Sequence, residues 1–269
     1  MKPTFYLKFL GLLILIFFLQ CDVENKKSHY IKLKIHDLSQ TFQDNTQSPI
    51  NLVTHLALPT QHELEIFINE KIEALRWTGH TVELKIADDS FIKSHNYDHN
   101  YEFKQLHFHT PSEHDIDGQE SPMEMHMVSA LTNEETGVVH YLVIGILFKE
   151  GKENPFIAKM INHLPKELLL HSLSNKDEHA HEQIVDISDD PINLDNLYGS
   201  PFKNHLKEFY FYNGSLTTPP YTETVEWYVA KDYVEISKEQ IAIMKGIMGD
   251  NSRMEQEKGH LNHGFMINI

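Results

Sequence analysis

The sequence predicts a mainly β fold of the α+β class, built as a single domain. Three observations predict it. Short apolar segments broken by polar clusters recur from about Tyr30 onward, one long apolar and β-branched run occupies residues 138–148, and no composition shift interrupts the 269 residues. Helical patterns are few. In chain order, Gln47-Ser48-Pro49-Ile50-Asn51-Leu52 comes first, where Pro49 argues for an edge or turn position. Residues 63–68 alternate weakly and residues 81–86 alternate cleanly, as a half-buried strand should, with Gly79-His80 just ahead. The run 138–148 is too continuously apolar for an exposed strand and too β-branched to favour a helix, so it reads as a central strand covered on both faces. Asn154-Pro155 reads as a helix N-cap followed by proline in the first turn, with Phe156, Ile157, Met160, Ile161 and Leu164 at helical spacing and Pro165 as the end. Residues 176–190 form a charged surface excursion in which Ile184, Val185 and Ile187 can make a short strand. Ser237 and Gln240 form a capping box before Ile241, Met244, Ile247 and Met248, and Gly249 stops that helix.

Charge narrows the function. Lys plus Arg total 23 against 39 for Asp plus Glu, a formal charge of −16, which disfavours nucleic acid and leaves small neutral substrates open. The chain carries 19 histidines, and those in polar stretches, such as His179 and His181, read as solvated surface. The N-terminus reads as an export signal: a short basic start, then an uncharged run over residues 9–19 that is too short for a full membrane span. Cys21 is the sole cysteine, and Phe18-Leu19-Gln20-Cys21 resembles a relaxed bacterial lipoprotein processing site, with a simple cleaved signal or an uncleaved anchor as alternatives. The expected organisation is a processing segment at 1–21, a polar tether at 22–30 and a catalytic domain at 31–269. The protein is then exported, periplasmic or in the cell envelope, with membrane attachment through a lipidated Cys21. Its oligomeric state is left open.

The chemistry concentrates in two pieces. In an extended strand Gln105, His107 and His109 share one face, while Leu106 and Phe108 share the other. Glu124, His126 and Val128 repeat the arrangement, and Pro111, Gly118 and Pro122 between the pieces mark a loop that lets the strands meet. Three imidazoles suit a tetrahedral zinc site with its fourth position left to water, which points to catalysis rather than scaffolding. Gln105 and Glu124 each stand two residues before a candidate ligand, where they can accept the ring's other N–H and fix its tautomer.

The segment Gln105-Leu106-His107-Phe108-His109-Thr110-Pro111-Ser112-Glu113-His114, with Glu124-Met125-His126-Met127-Val128, resembles the zinc signature of the α-class carbonic anhydrases in its bacterial form. Tyr212-Asn213-Gly214-Ser215-Leu216-Thr217-Thr218-Pro219-Pro220 resembles a second family marker, and Gln47-Ser48-Pro49-Ile50 and Gly79-His80 match two more. The resemblance runs from about residue 45 to about residue 253. It implies a large, twisted, mainly antiparallel sheet with a few peripheral helices and zinc at the bottom of a cone-shaped cleft. It implies His107, His109 and His126 as zinc ligands, Thr217 as the hydroxyl that aims the attacking hydroxide, and Glu113 as the acceptor of the Thr217 proton. It places an apolar wall for carbon dioxide at Val128, Val143, Leu216, Val225 and Trp227. Thr218 would hold bicarbonate, the Leu216–Thr217 turn would supply backbone N–H, and His80 would shuttle the proton.

The chain also departs from the family. Trp77, Thr78 and Glu83 stand where asparagines often line the water path, and Tyr30–Phe42 contains no counterpart to the N-terminal Trp/Tyr and Gly-Pro stretch. Tyr221 occupies the place of a cysteine common in bacterial members, and Met254 replaces a proline after Asn251-Ser252-Arg253.

Ser215 and Thr217 lack a Gly-x-Ser-x-Gly elbow, which argues against a serine hydrolase. The alternative from another class is a non-catalytic carbonic-anhydrase-like binding module. Against it stand the three histidines with Thr217 and Glu113. Ester hydrolysis would be a side activity of the same zinc site.

Overall fold

The computed structural model describes residues 46–256 apart from 61, 87–88, 95–98 and 173–181, together with 266–268. The expected processing segment with Cys21, the tether, the stretch 30–42, and His179 and His181 lie outside the described residues.

The strands are β1 (Asn51–Leu52), β2 (Leu58–Thr60), β3 (Leu64–Phe67), β4 (Lys71–Trp77), β5 (Val82–Ile86), β6 (Phe91–Ser94), β7 (Tyr101–His109), β8 (Asp115–Ile116), β9 (Gln119–Glu120), β10 (Glu124–Thr132), β11 (Val139–Glu150), β12 (Gln183–Asp186), β13 (Ile192–Asn193), β14 (Phe209–Gly214), β15 (Val225–Ala230), β16 (Val234–Ile236) and β17 (Met266–Asn268). Three α-helices accompany them among the described residues: α1 (Pro155–His163), α2 (Lys166–Ser172) and α3 (Lys238–Met248).

One sheet dominates, in the order β12-β4-β5-β7-β10-β11-β15-β14-β17-β2. Its left half is antiparallel, as expected. Parallel pairing enters where β11 meets β15 and where β17 meets β2, so the sheet is mixed. The long apolar run behaves as its composition demands: β11 lies between β10 and β15, and residues 142–148 are buried without interruption. The short strand expected near Ile184 is β12, which pairs with β4.

The ladder between β7 and β10 fixes the site. His107 stands directly opposite His126, and His109 opposite Glu124, so the polar residues of both strands share one face. The other face reads Leu106 and Phe108, Met125 and Met127, Ile144 and Ile146, all 1% exposed or less. Burying each such side chain is worth about 1.5–3 kcal/mol, so a one-residue slip, which would exchange the two faces, is strongly opposed. A bulge between Val128 and Ser129 shifts the register by one residue just before the histidine pairs begin.

The helices obey their capping signals. The Asn154 side chain accepts from the N–H of Phe156 and Ile157, and α1 buries Phe156, Ile157, Met160 and Ile161. Ser237 and Gln240 form the expected capping box on α3, and Gly249 ends it at φ +68°, a conformation that favours glycine. That ending turns the chain back toward β7: the Gly249 carbonyl accepts from the Thr110 hydroxyl, and the Asn251 side chain accepts from the Thr110 amide at 2.8 Å.

Candidate metal centre

The three histidines expected as ligands converge. One ring nitrogen from each of His107, His109 and His126 lies within 4.8 Å of the others, and Nε2 of His107 is 2.9 Å from Nε2 of His109. Each ring is held from behind by its remaining nitrogen. Nδ1 of His107 donates to Gln105 Oε1 at 2.9 Å, Nδ1 of His109 to the Asn251 carbonyl at 3.3 Å, and Nε2 of His126 to Glu124 Oε1 at 2.9 Å. These anchors set the tautomers, so Nε2 of His107, Nε2 of His109 and Nδ1 of His126 are left as bare acceptors.

Electrostatics agree with that arrangement. Burial, helped by the two neighbouring imidazoles, pushes His107 well below the usual histidine range, and burial lowers His109 as well. Burial also opposes the charged form of His126, but the Glu124 and Glu113 carboxylates outweigh it and the net shift is upward. Three acceptor nitrogens crowded together repel unless a cation lies between them. An all-imidazole donor set of this kind fits zinc.

Glu124 is the hub beneath the cluster. Its Oε2 accepts from the amides of Glu113 and His114, both at 2.9 Å, while Oε1 faces His126 and, at 2.8 Å, Nδ1 of His114. Burial raises this carboxyl, yet the two histidines and their hydrogen bonds more than offset it and hold it well below the usual carboxylate range. On its far side His114 meets the Tyr212 hydroxyl at 2.6 Å, and that hydroxyl donates to Ser48 Oγ at 3.0 Å. The chain Glu124–His114–Tyr212–Ser48 therefore ties the motif around β10 to β14 and the segment before β1.

Glu113 is buried beside the cluster, its Oε2 3.9 Å from Nδ1 of His126. Oε1 accepts from the Arg253 amide at 2.9 Å, whereas Oε2 has no hydrogen-bond partner. The expected Thr217–Glu113 hydrogen bond is therefore not formed, although Thr217 is only 9% exposed. The Leu216 amide, expected to face substrate, is committed to the Thr222 carbonyl at 2.9 Å. Thr218 is exposed, and its carbonyl accepts from the Tyr221 amide at 2.9 Å. The loop is anchored at Ser215: its amide donates to Ser48 Oγ at 3.0 Å, its Oγ accepts from the Ser48 amide at 2.9 Å, and its carbonyl accepts from Nε1 of Trp227 at 3.0 Å.

The residues expected in the apolar wall pack together across strands. Val128 pairs with Val143, Val143 with Trp227 and Val225 with Gly214, and Val128 and Leu216 pack on the cluster that contains Val143, Val225 and Trp227. His80 is exposed on the turn between β4 and β5, where its carbonyl accepts from Nδ2 of Asn251 at 2.9 Å.

Sequence reasoning did not assign His114, Tyr212, Ser48, Asn251 or Arg253. His114 closes the quoted histidine motif and Asn251-Ser252-Arg253 matches a family stretch, so the signals were present; their partners, up to 206 positions away, left no local trace. The Arg253 guanidinium donates to Gln47 Oε1 at 2.9 Å and the Ser48 carbonyl at 2.6 Å, and it lies 3.9 Å over the Tyr221 ring.

Comparison with known proteins converges on one family. The profile described as eukaryotic-type carbonic anhydrase matches residues 27–265. "Alpha carbonic anhydrase 3" of Arabidopsis thaliana is 34% identical over 201 residues, which are 74% of this chain and 64% of that protein, so the match spans just under two thirds of that relative. A "Carbonic anhydrase" of Pectobacterium carotovorum is 29% identical over 82% of this chain and 79% of its own length. Among solved structures, a hyperthermostable carbonic anhydrase identified from an active hydrothermal vent chimney shares 31% identity and a TM-score of 0.65, covering 90% of this chain and 93% of that one. The α-carbonic anhydrase from Thermovibrio ammonificans, solved in complex with the inhibitor sulfanilamide, shares 28% identity at a TM-score of 0.62, covering 83% and 87%. Dioscorin, solved with ascorbate at 22% identity, shares the fold. With its fold, its histidine cluster and its sequence all agreeing, this chain belongs to the eukaryotic-type, or α-class, carbonic anhydrase family.

Proposed function

We propose that the chain catalyses the zinc-dependent, reversible hydration of carbon dioxide to bicarbonate and a proton, with His107, His109 and His126 holding the metal. One observation carries the reading: all three rings have their outer nitrogen on an oxygen acceptor, while one nitrogen of each lies within 4.8 Å of the others. Zinc bound there supplies the Lewis acidity that makes water nucleophilic at neutral pH, the chemistry for which carbonic anhydrase is the reference case.

The chain's own residues do the rest. Gln105, Asn251 and Glu124 keep the rings in the one tautomer that can ligate. The unpartnered Oε2 of Glu113 is an acceptor in want of a hydroxyl. A rotation that lets Thr217 donate to it leaves Thr217 Oγ1 able only to accept, which aims the attacking oxygen at carbon. Val128, Val143, Leu216, Val225 and Trp227 receive carbon dioxide without competing for hydrogen bonds, and the Thr218 hydroxyl holds bicarbonate. His80 passes the proton outward from its exposed turn.

Stopped-flow hydration of carbon dioxide by the full chain tests this before zinc removal, after it, and after zinc is returned. The rate should disappear and come back. A chain that binds zinc and hydrates nothing would be the binding module instead, and a rate that survives metal removal would end the zinc reading. Export and lipid attachment are part of the proposal and rest on residues 1–21: radiolabelled palmitate should enter the wild type and not Cys21→Ser, and equal labelling would remove that part.

A further inference from the structure

We propose that Ser200, His205 and Asp232 form a second, metal-independent nucleophilic site that takes small acyl esters. The three residues come together where the loop after β13 meets the turn between β15 and β16, apart from the histidine cluster. Ser200 Oγ lies 2.6 Å from Nε2 of His205, and Nδ1 of His205 lies 2.9 Å from Oδ2 of Asp232. A carboxylate only accepts, so Nδ1 carries the hydrogen; in the neutral ring Nε2 is then the acceptor and the serine O–H points at it. That is the order of roles an activated serine requires: nucleophile, base, and a carboxylate that orients the base.

Two further contacts hold the constellation. The Tyr198 ring stacks on His205 with centroids 4.1 Å apart and planes 5° from parallel, and the Tyr198 hydroxyl donates to the Asp232 carbonyl at 3.1 Å. Gly199, at φ +69°, makes the sharp turn that presents Ser200. The His205 side chain is 25% exposed and that of Asp232 59%, so reagents can reach the site, while solvent screening keeps the orienting pair weaker than a buried one.

The reaction balances with water alone. As Ser200 Oγ bonds to the acyl carbon its proton passes to Nε2 of His205, the ester C–O bond breaks, and the leaving alcohol takes that proton. Water then attacks the acyl-serine, gives a proton to Nε2, and the carboxylic acid departs as Oγ regains its hydrogen.

The same three bonds, if they merely pinned the loop, would leave Ser200 no more reactive than any surface hydroxyl. Treating the full-chain protein with a fluorophosphonate, with and without zinc chelation, separates the two cases. The expected result is one adduct, mapped to Ser200 by peptide mass spectrometry, forming at the same rate with and without metal. His205→Gln should slow it by about 100-fold, the scale of a general base. Asp232→Asn, which reverses the tautomer, should slow it by at least about tenfold. Circular dichroism matching the wild type confirms that the variants fold. No adduct at Ser200, or an unchanged rate in His205→Gln, would overturn the proposal.

Discussion

A Cβ on Gly145 would stand 2.7 Å from Oε1 of Glu124, the oxygen that holds the His126 ring. Gly145 lies directly across the ladder from His126, so the absence of a side chain on β11 is what lets the carboxylate reach under the imidazole. The contact is tight because Glu124 is fixed by four hydrogen bonds and cannot swing aside. Gly145→Ala is therefore expected to displace the carboxylate, weaken zinc binding by about 10–100-fold and destabilise the metal-free fold by about 1–3 kcal/mol through overpacking. Chelator competition and thermal unfolding measure the two effects; zinc affinity equal to wild type would show that the glycine is incidental.

Glu124 and Gln105 both orient a ligand, but their removal should differ in kind. Gln105 is half-buried and serves His107, so Gln105→Ala should lower zinc affinity by about 10–100-fold and leave the metal-free fold nearly intact. Glu124→Ala strands two amides, His114 and His126 in a buried site, a change on the order of 3–5 kcal/mol in the metal-free protein. Denaturant unfolding of the two variants without metal should separate them clearly.

The same carboxylate gives a pH dependence. Its folded-state pKa is depressed, so its stabilising effect is complete above the unfolded carboxylate value near ~4.3 and is lost as pH falls through the lower folded value. The stability gap between wild type and Glu124→Gln, followed without metal from neutral to acidic pH, should hold steady to about pH 4.3 and shrink below it. A gap that stays constant down through strong acid would mean that the charge on Glu124 is not what stabilises.

Tyr221 and Arg253 join the Thr217 loop to Glu113. The Arg253 amide donates to Glu113 Oε1, while its guanidinium covers Tyr221, three residues beyond Thr218. Tyr221→Phe keeps the ring and should keep activity. Tyr221→Ala removes a cation–π contact worth about 0.5–1 kcal/mol and should lower kcat/KM for carbon dioxide by a few-fold, with zinc content unchanged. Equal activity in the alanine and phenylalanine variants would detach this clamp from catalysis.

Much of this molecule was legible because its chemistry is periodic. Alternation alone put Gln105, His107 and His109 on one face and Glu124, His126 and Val128 on another, and the β7–β10 register joined them. The uninterrupted apolar run of β11 and the Ser237–Gln240 box were likewise local signals. What escaped was long-range pairing: Arg253 to Glu113, Asn251 to His109 and Ser48 to Ser215 are held across 140, 142 and 167 positions. A hydrogen bond between distant residues imposes no spacing on either. The glycine at 145 escaped for the same reason, since nothing in its own strand shows that a carboxylate from the next one lies against it. The Thr217–Glu113 bond was read from resemblance, and the structure instead leaves Glu113 Oε2 open.

The central claim is that three imidazoles hold one zinc. X-ray absorption at the zinc edge of the purified full chain tests it most directly. The expected spectrum shows one zinc per chain with three imidazole nitrogens at about 2.0–2.1 Å and one further light-atom ligand. A protein that arrives without zinc and takes none up, or a spectrum with fewer than three imidazoles, would contradict it.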